Sequence, residues 1–306
     1  MAIMGDGEAR TAISAFGTVG VALATVFDEA GGIDFAATAG LARHLVDQGC
    51  DMLVVSGTTG ESPTTSDDEK DELLSCVLAA VGERARIIAG VGSNDTRHTI
   101  ELAGRAKAVG AHGLLVVTPY YSKPSQAGVI AHAKTVAEAT DLPIMLYDIP
   151  GRSGIPLTVD TLVELGTHPN ILAVKDAKGD IASTMEVMGR SPLVYYSGED
   201  ALNWPLLAAG AIGVVSVVGH VATPQISRMV AAAHVGEMAT ARQLALELVP
   251  VVDTIMNHMP GVVAAKAALE LQGLIENRAT RLPVLPATED QVEFLRTELL
   301  GSRILQ

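Results

Sequence analysis

The stretch "ILAVKDAKGD" (residues 171–180) runs four apolar residues straight into Lys175, an aspartate and, after Ala177, a second lysine. It is bounded by Pro-Asn before and Gly-Asp after, and an apolar run this short between turn residues reads as a buried strand rather than a helix. Lys175 therefore stands at the exit of a buried strand. Either the strand has reached water there and the ammonium is simply hydrated, or the position holds a working amine. The stretch alone leaves both open.

Working outward, seven further runs share this character: "VGVALAT" (19–25), "DMLVVSG" (51–57), "RIIAGVG" (86–92), "GLLVVTP" (113–119), "PIMLYDI" (143–149), "LVYYSG" (193–198) and "IGVVSVV" (212–218). Between them lie segments such as "DFAATAGLARHLVDQG" (34–49) and "SDDEKDELLSCVLAAVG" (66–82). Their apolar positions recur every three or four residues, and they begin near Asp or Ser and end in Gly, as capped amphipathic helices do. Near-continuous apolar strands belong to a parallel sheet covered on both faces, and eight strand–helix units close most economically into a (β/α)8 TIM barrel. A doubly wound open sheet is the competitor, but the GxGxxG or GxxxxGK[ST] turn it would often carry is missing. The expected organisation of this α/β chain is an N-terminal tail (1–16), a barrel (17–235) and a C-terminal helical region (236–306), the last including "TARQLALELVPVVDTIM" and "VVAAKAALELQG".

With 48% hydrophobic and 18% charged residues, the 306-residue chain has the composition of a large packed core. A formal charge of −14 disfavours nucleic acid or an anionic membrane as the main partner, so an anionic substrate would need a local cation. The N-terminus lacks the basic and apolar segments of a secretory signal, and the longest apolar stretch, "AAGAIGVVSVVGHVA", is too short and glycine-rich to span a bilayer. A cytoplasmic protein is expected, with Cys50 and Cys76 as buried thiols. No CxxC, HExxH or HxxxH spacing is present, and no metal is expected.

In such barrels the site lies at the C-terminal ends of the strands. Those positions carry "SGTTGES" (56–62), "TPYYSKPSQ" (118–126), "YDIPGRSG" (147–154) and Lys175. Lys123, Lys178 and Lys266 are expected to be solvated, in a loop, beside a glycine and in a C-terminal helix. A lysine inside an apolar barrel loses the hydration that favours its charge, which supplies neutral amine near pH 7 for imine chemistry. Tyr and Thr hydroxyls, here Tyr147, Thr58 and Thr59, can relay the protons that chemistry needs. Taken by itself Tyr147 reads as a strand-end aromatic with a wet hydroxyl, and Gly-Thr-Thr-Gly as a tight turn or as an N–H concavity for a carboxylate. Arg152 is either a surface cation or the partner of a substrate carboxylate.

Taken together in order and spacing, "SGTTGESPTT", "TPYYSKPSQ", "LYDIPGRSG", "VKDAKGD" and "YSGED" resemble the dihydrodipicolinate synthases, within the pyruvate-dependent class I aldolase family that also contains N-acetylneuraminate lyase. The resemblance covers residues 17–285 and is nearest to the actinobacterial type. It implies that Lys175 forms an imine with pyruvate, that Tyr147 relays protons, and that Thr58 and Tyr121 complete the hydroxyl chain, Tyr121 reaching in from a neighbouring subunit. It implies also that Thr59, with the Thr58 backbone, holds the pyruvate carboxylate, that Arg152 binds the carboxylate of L-aspartate 4-semialdehyde, and that Gly198 and Val215 line the pocket. The implied reaction yields 4-hydroxy-tetrahydrodipicolinate for diaminopimelate and lysine biosynthesis. No cofactor is implied, and a homotetramer built as a dimer of dimers is.

Arg152 speaks against the alternative, a lyase for 2-oxo sugar acids, and the full lysine, tyrosine and threonine set speaks against a non-catalytic binding barrel. Val26 stands where the family usually has proline, which would loosen the loop after the first strand, and "HMPGVVA" (258–264) also departs from the family's run. Ser62, Asn94 and Tyr120 match the pocket where lysine-inhibited relatives bind lysine, but Lys70 and His98 replace a neutral group and a glutamate there. Near-insensitivity to L-lysine is the expectation.

Overall fold

The computed structural model describes residues 6–302 and 304. Its eight strands are β1 (Val19–Ala22), β2 (Met52–Val55), β3 (Arg86–Gly90), β4 (Gly113–Val117), β5 (Ile144–Asp148), β6 (Ile171–Asp176), β7 (Val194–Ser197) and β8 (Gly213–Ser216). Each pairs in parallel with its sequence neighbours, and β1 pairs with β8 to close the barrel. The (β/α)8 expectation is met.

Before β1 lies α1 (Asp6–Phe16). Around the barrel run α2 (Phe35–Asp47), α3 (Asp67–Val81), α4 (Thr96–Val109), α5 (Gln126–Glu138), the single turn α6 (Pro150–Ser153), α7 (Val159–Leu165), α8 (Ile181–Arg190), α9 (Asn203–Ala209) and α10 (Gly219–His234). The C-terminal region supplies α11 (Met238–Met256), α12 (Gly261–Leu271) and α13 (Glu289–Gly301). Asp34, Asp95, Ser125, Thr158 and Asp180 cap their helices with side-chain oxygens, and Ser66 forms a reciprocal capping box with Glu69. The Asp and Ser signals are thus used as N-caps, which satisfy otherwise orphaned N–H groups.

The segment 1–16, expected as a tail, is over Asp6–Phe16 a helix. Phe16 is fully buried, meets the Tyr196 ring edge-on at 6.2 Å, and crowds Gly113 at the start of β4. The helix therefore closes the end of the barrel opposite the strand C-termini. Its apolar stripe is mostly alanine (Ala9, Ala12, Ala15), too weak to register as a core face until Phe16 is seen in place.

Alternation along the strands sorts the core into two layers. Met145, Tyr147, Ala173, Val194, Tyr196 and Val215 fill the interior, while Leu146, Val174 and Tyr195 face the helices. Lys175 shares the parity of Ala173, and that is what sends its side chain inward. Cys50 is buried and Cys76 half-buried, both unpaired. Among the described residues no single helix is long and apolar enough to cross a membrane.

Candidate active site

Lys175, next to last in β6, lies inside the barrel with 4% of its surface exposed. Register places it directly beside Tyr147 of β5, and its Nζ lies 4.2 Å from the centroid of the tyrosine ring. Burial pulls the lysine down from 10.5 to about 8, the negative charges of Asp200 and Glu199 opposing and the Arg152 charge assisting. The solvated alternative for Lys175 is thereby discarded: the amine is desolvated and is partly neutral near pH 7. Tyr147 is pushed up to about 12 by burial, with the Arg152 charge and the Thr58 hydroxyl acting the other way. It is thus a protonated hydroxyl at working pH.

Gly198 shows why a side chain is forbidden beside this amine. A Cβ built there would sit 2.7 Å from Lys175 Cγ and 2.8 Å from its Cε. Val215, fully buried on β8, belongs to the same interior cluster as Tyr147.

Tyr147 also lines a cleft of about 440 Å³, shared with Thr58, Tyr120, Arg152, Lys70 and His98, whereas Lys175, Gly198 and Val215 are not among its lining residues. Thr58 is exposed in the turn after β2 and Arg152 in α6 after β5. Thr59 is buried in the same turn and is not among the residues lining the cleft. Tyr121 is the residue that a single chain does not bring in: it is 89% exposed, with a left-handed backbone at φ 72°.

Five acidic and basic groups lie outside what the sequence signals marked: Asp200, Glu199, Lys266, Glu61 and Lys178. Asp200, buried after β7, accepts from Ser216 Oγ, from Asn203 Nδ2 at 2.9 Å, and from the N–H groups of Val217 and Val218 at 2.8 and 3.0 Å, so it ties the loop after β8 to that after β7. Glu199 beside it is half-buried, and burial raises its carboxyl above the ordinary value. The acidic pair in "YSGED", at a strand end, was the available signal. Lys266, expected to be solvated, is 1% exposed and paired with buried Glu61 at 2.5 Å. Lys178 is also largely covered, its Nζ 3.7 Å from Asp148 and 3.3 Å from the Leu157 carbonyl, whereas Lys123 is exposed as expected.

The loop after β1 is not loosened by Val26. Its N–H donates to Thr38 Oγ1 at 3.1 Å and its carbonyl accepts from Asp34 N at 2.9 Å, and the first of these bonds a proline could not make.

A closed (β/α)8 barrel here gathers a desolvated amine, a buried phenol and a cationic rim at the C-terminal ends of its strands, where barrel enzymes carry their sites, and its relatives make it a lyase. The chain belongs to the dihydrodipicolinate synthetase family, whose model matches residues 15–300. It is 58% identical over 93% of its length to 4-hydroxy-tetrahydrodipicolinate synthase of Kineococcus radiotolerans, covering 92% of that protein. Among solved structures it resembles dihydrodipicolinate synthase from Bacillus anthracis (TM-score 0.89, 42% identity, 94% of this chain and 98% of that one). It also resembles the enzyme from Cyanidioschyzon merolae with lysine bound (TM-score 0.91, 38% identity, 95% and 99%).

Proposed function

We propose that this lyase condenses pyruvate with L-aspartate 4-semialdehyde to give 4-hydroxy-tetrahydrodipicolinate, through an imine on Lys175 and without a cofactor. The observation that carries the reading is the buried Lys175 amine, lowered to about 8 and set against Tyr147. Neutral Nζ attacks the pyruvate ketone, and the resulting carbinolamine loses water to form the imine. Loss of a methyl proton gives the enamine, whose carbon attacks the semialdehyde. The amine of that second substrate then displaces Lys175 by transimination, which closes the ring and frees the lysine.

In this reading Tyr147 and Thr58 pass the protons, joined by Tyr121 of a neighbouring copy. The 89% exposure of Tyr121 supports such sharing, because a phenol turned to solvent by its own chain is free to enter another. Thr59, with the Thr58 backbone, holds the pyruvate carboxylate, Arg152 holds that of the semialdehyde, and Gly198 and Val215 shape the pocket. The assembly is a homotetramer, a dimer of dimers in the cytoplasm, serving diaminopimelate and lysine biosynthesis. Exposed Leu246 and Val249 on α11 (58% and 56%) favour self-association through that helix.

Assaying pyruvate with aspartate semialdehyde beside pyruvate with N-acetylmannosamine tests the substrate. Turnover of the first pair alone is expected, and preferential turnover of the second would transfer the protein to the sugar-acid lyases.

A further inference from the structure

The turn after β2 carries a residue that the chemistry above does not use. Glu61 is 4% exposed and holds a left-handed backbone, φ 53° and ψ 38°. A non-glycine residue keeps that conformation only where its surroundings impose it. Both carboxylate oxygens are engaged by the C-terminal region: Oε1 accepts from Lys266 Nζ of α12 at 2.5 Å, and Oε2 from the Arg281 N–H at 2.9 Å. Lys266 also donates to the Ala279 carbonyl at 2.8 Å and lies 4.2 Å from the centroid of the Phe27 ring.

Arg281 extends the grip. Its guanidinium forks onto Glu69 at 2.5 and 2.8 Å and donates to the carbonyls of Thr64 and Gly31, both at 2.8 Å. One short segment beyond α12 thus holds the start of α3, the loop after β1 and the far side of the Thr58–Thr59 turn. Within that turn the Glu61 N–H donates to the Thr58 carbonyl at 3.1 Å, so whatever fixes Glu61 fixes Thr58.

A fully buried ion pair is a poor source of net stability, since desolvating two charges offsets most of their attraction. Fixing one conformation is the better account of its presence. We infer that the Glu61–Lys266 pair is a positioning device, by which the C-terminal helical region sets the turn that receives the pyruvate carboxylate. The inference rests on the proposed role of that turn.

Lys266→Met, near its shape but without the charge, leaves Glu61 short of one partner. The expected result is a KM for pyruvate raised about 10- to 100-fold, with the KM for aspartate semialdehyde changed far less, because Arg152 is carried by α6 on another loop. Glu61→Gln combined with Lys266→Met removes both charges, and should bring Tm back toward the parent while the pyruvate KM stays high. Thr59→Ala is the control for the underlying reading and should raise the pyruvate KM by itself.

If Thr59→Ala raises it and folded Lys266→Met does not, the positioning role is overturned and the carboxylate site stands. If the double variant recovers both Tm and the pyruvate KM, the pair is structural only. If Lys266→Met does not fold, the double variant decides alone. An unchanged pyruvate KM in Thr59→Ala removes the turn's role and the inference with it.

Discussion

Lys175 and Tyr147 face one another across the β5–β6 register, the lysine Nζ 4.2 Å from the centroid of the tyrosine ring. The next pair in that register, Asp148 and Asp176, points the other way, out toward the helices. A slip of one residue would exchange the two pairs, so the pleat itself decides that the amine and the phenol share the interior.

Imine formation is expected to follow the neutral fraction of Lys175. With the amine at about 8, roughly a tenth is neutral at pH 7, against about a third of a thousandth for an ordinary lysine. Single-turnover imine formation with pyruvate should rise with pH to an inflection near 8, and borohydride should fix the adduct on Lys175. A rate that keeps climbing to pH 10, or an adduct on Lys178 or Lys266, contradicts the assignment.

Lys175→Met is expected to abolish activity and to stabilise the protein at neutral pH. Burial lowers the folded-state value, so between about 8 and 10.5 the unfolded chain binds the extra proton. The lysine therefore costs stability in full below pH 8, and that cost disappears as pH rises through the unfolded value. The gain at pH 7 should be of the order of 2–3 kcal/mol and should shrink by pH 10. Denaturant midpoints at the two pH values read it, and a variant less stable at pH 7 than at pH 10, relative to the parent, would reverse the sign.

Arg152→Ala should impair the use of aspartate semialdehyde far more than imine formation with pyruvate. On the proposed reading it removes a charge-assisted contact to one substrate, worth about 1.5–3 kcal/mol. Equal losses in the two half-reactions would end its specific role.

Mixed oligomers address Tyr121. Tyr121→Phe and Lys175→Ala chains refolded together should regain part of the activity that each lacks, because some sites then combine an intact lysine with an intact neighbouring tyrosine. Absence of any recovery would put the phenol in its own chain's site.

L-Lysine should leave the enzyme nearly unaffected at millimolar concentration. Lys70 donates to the Thr65 carbonyl and lies 3.9 Å from Asp67 Oδ1, and His98 Nε2 lies 3.0 Å from Asp67 Oδ2, so this wall of the cleft presents an ammonium and its Asp67 carboxylate is already engaged by both neighbours. A cationic ligand meets repulsion there and, among the described lining residues, no carboxylate other than the engaged Asp67. Half-inhibition below about 1 mM, a binding energy near 4 kcal/mol, would show a differently assembled pocket.

The eight strands and the inward lysine were legible because parallel strands buried on both faces leave uninterrupted apolar runs, and because strand parity alone aims Lys175 and Tyr147. Lys266 was not read, because in "GVVAAKAALEL" it stands four residues before Glu270, a spacing that passes for a solvated polar stripe. Its partner Glu61 lies two hundred residues away, and pairing across that separation leaves no periodic trace. The helix over Asp6–Phe16 escaped for a different reason: three alanines bury too little area to stand out, and Phe16 acquires its meaning only from Tyr196 across the barrel. The place of Tyr121 in the loop after β4 was legible, and the resemblance already implied that it serves a neighbouring subunit; its own chain leaves it 89% exposed.

Because α1 seals one end of the barrel while substrates enter at the other, the enzyme carries a handle remote from its working face. Coupling to a resin through a linker on the outward side of that helix would attach a subunit at the end of its barrel away from its own mouth, and the attachment chemistry would stay clear of the Lys175 amine. Exposed Glu8 and Arg10 on α1 offer the grafting points for such an immobilised catalyst.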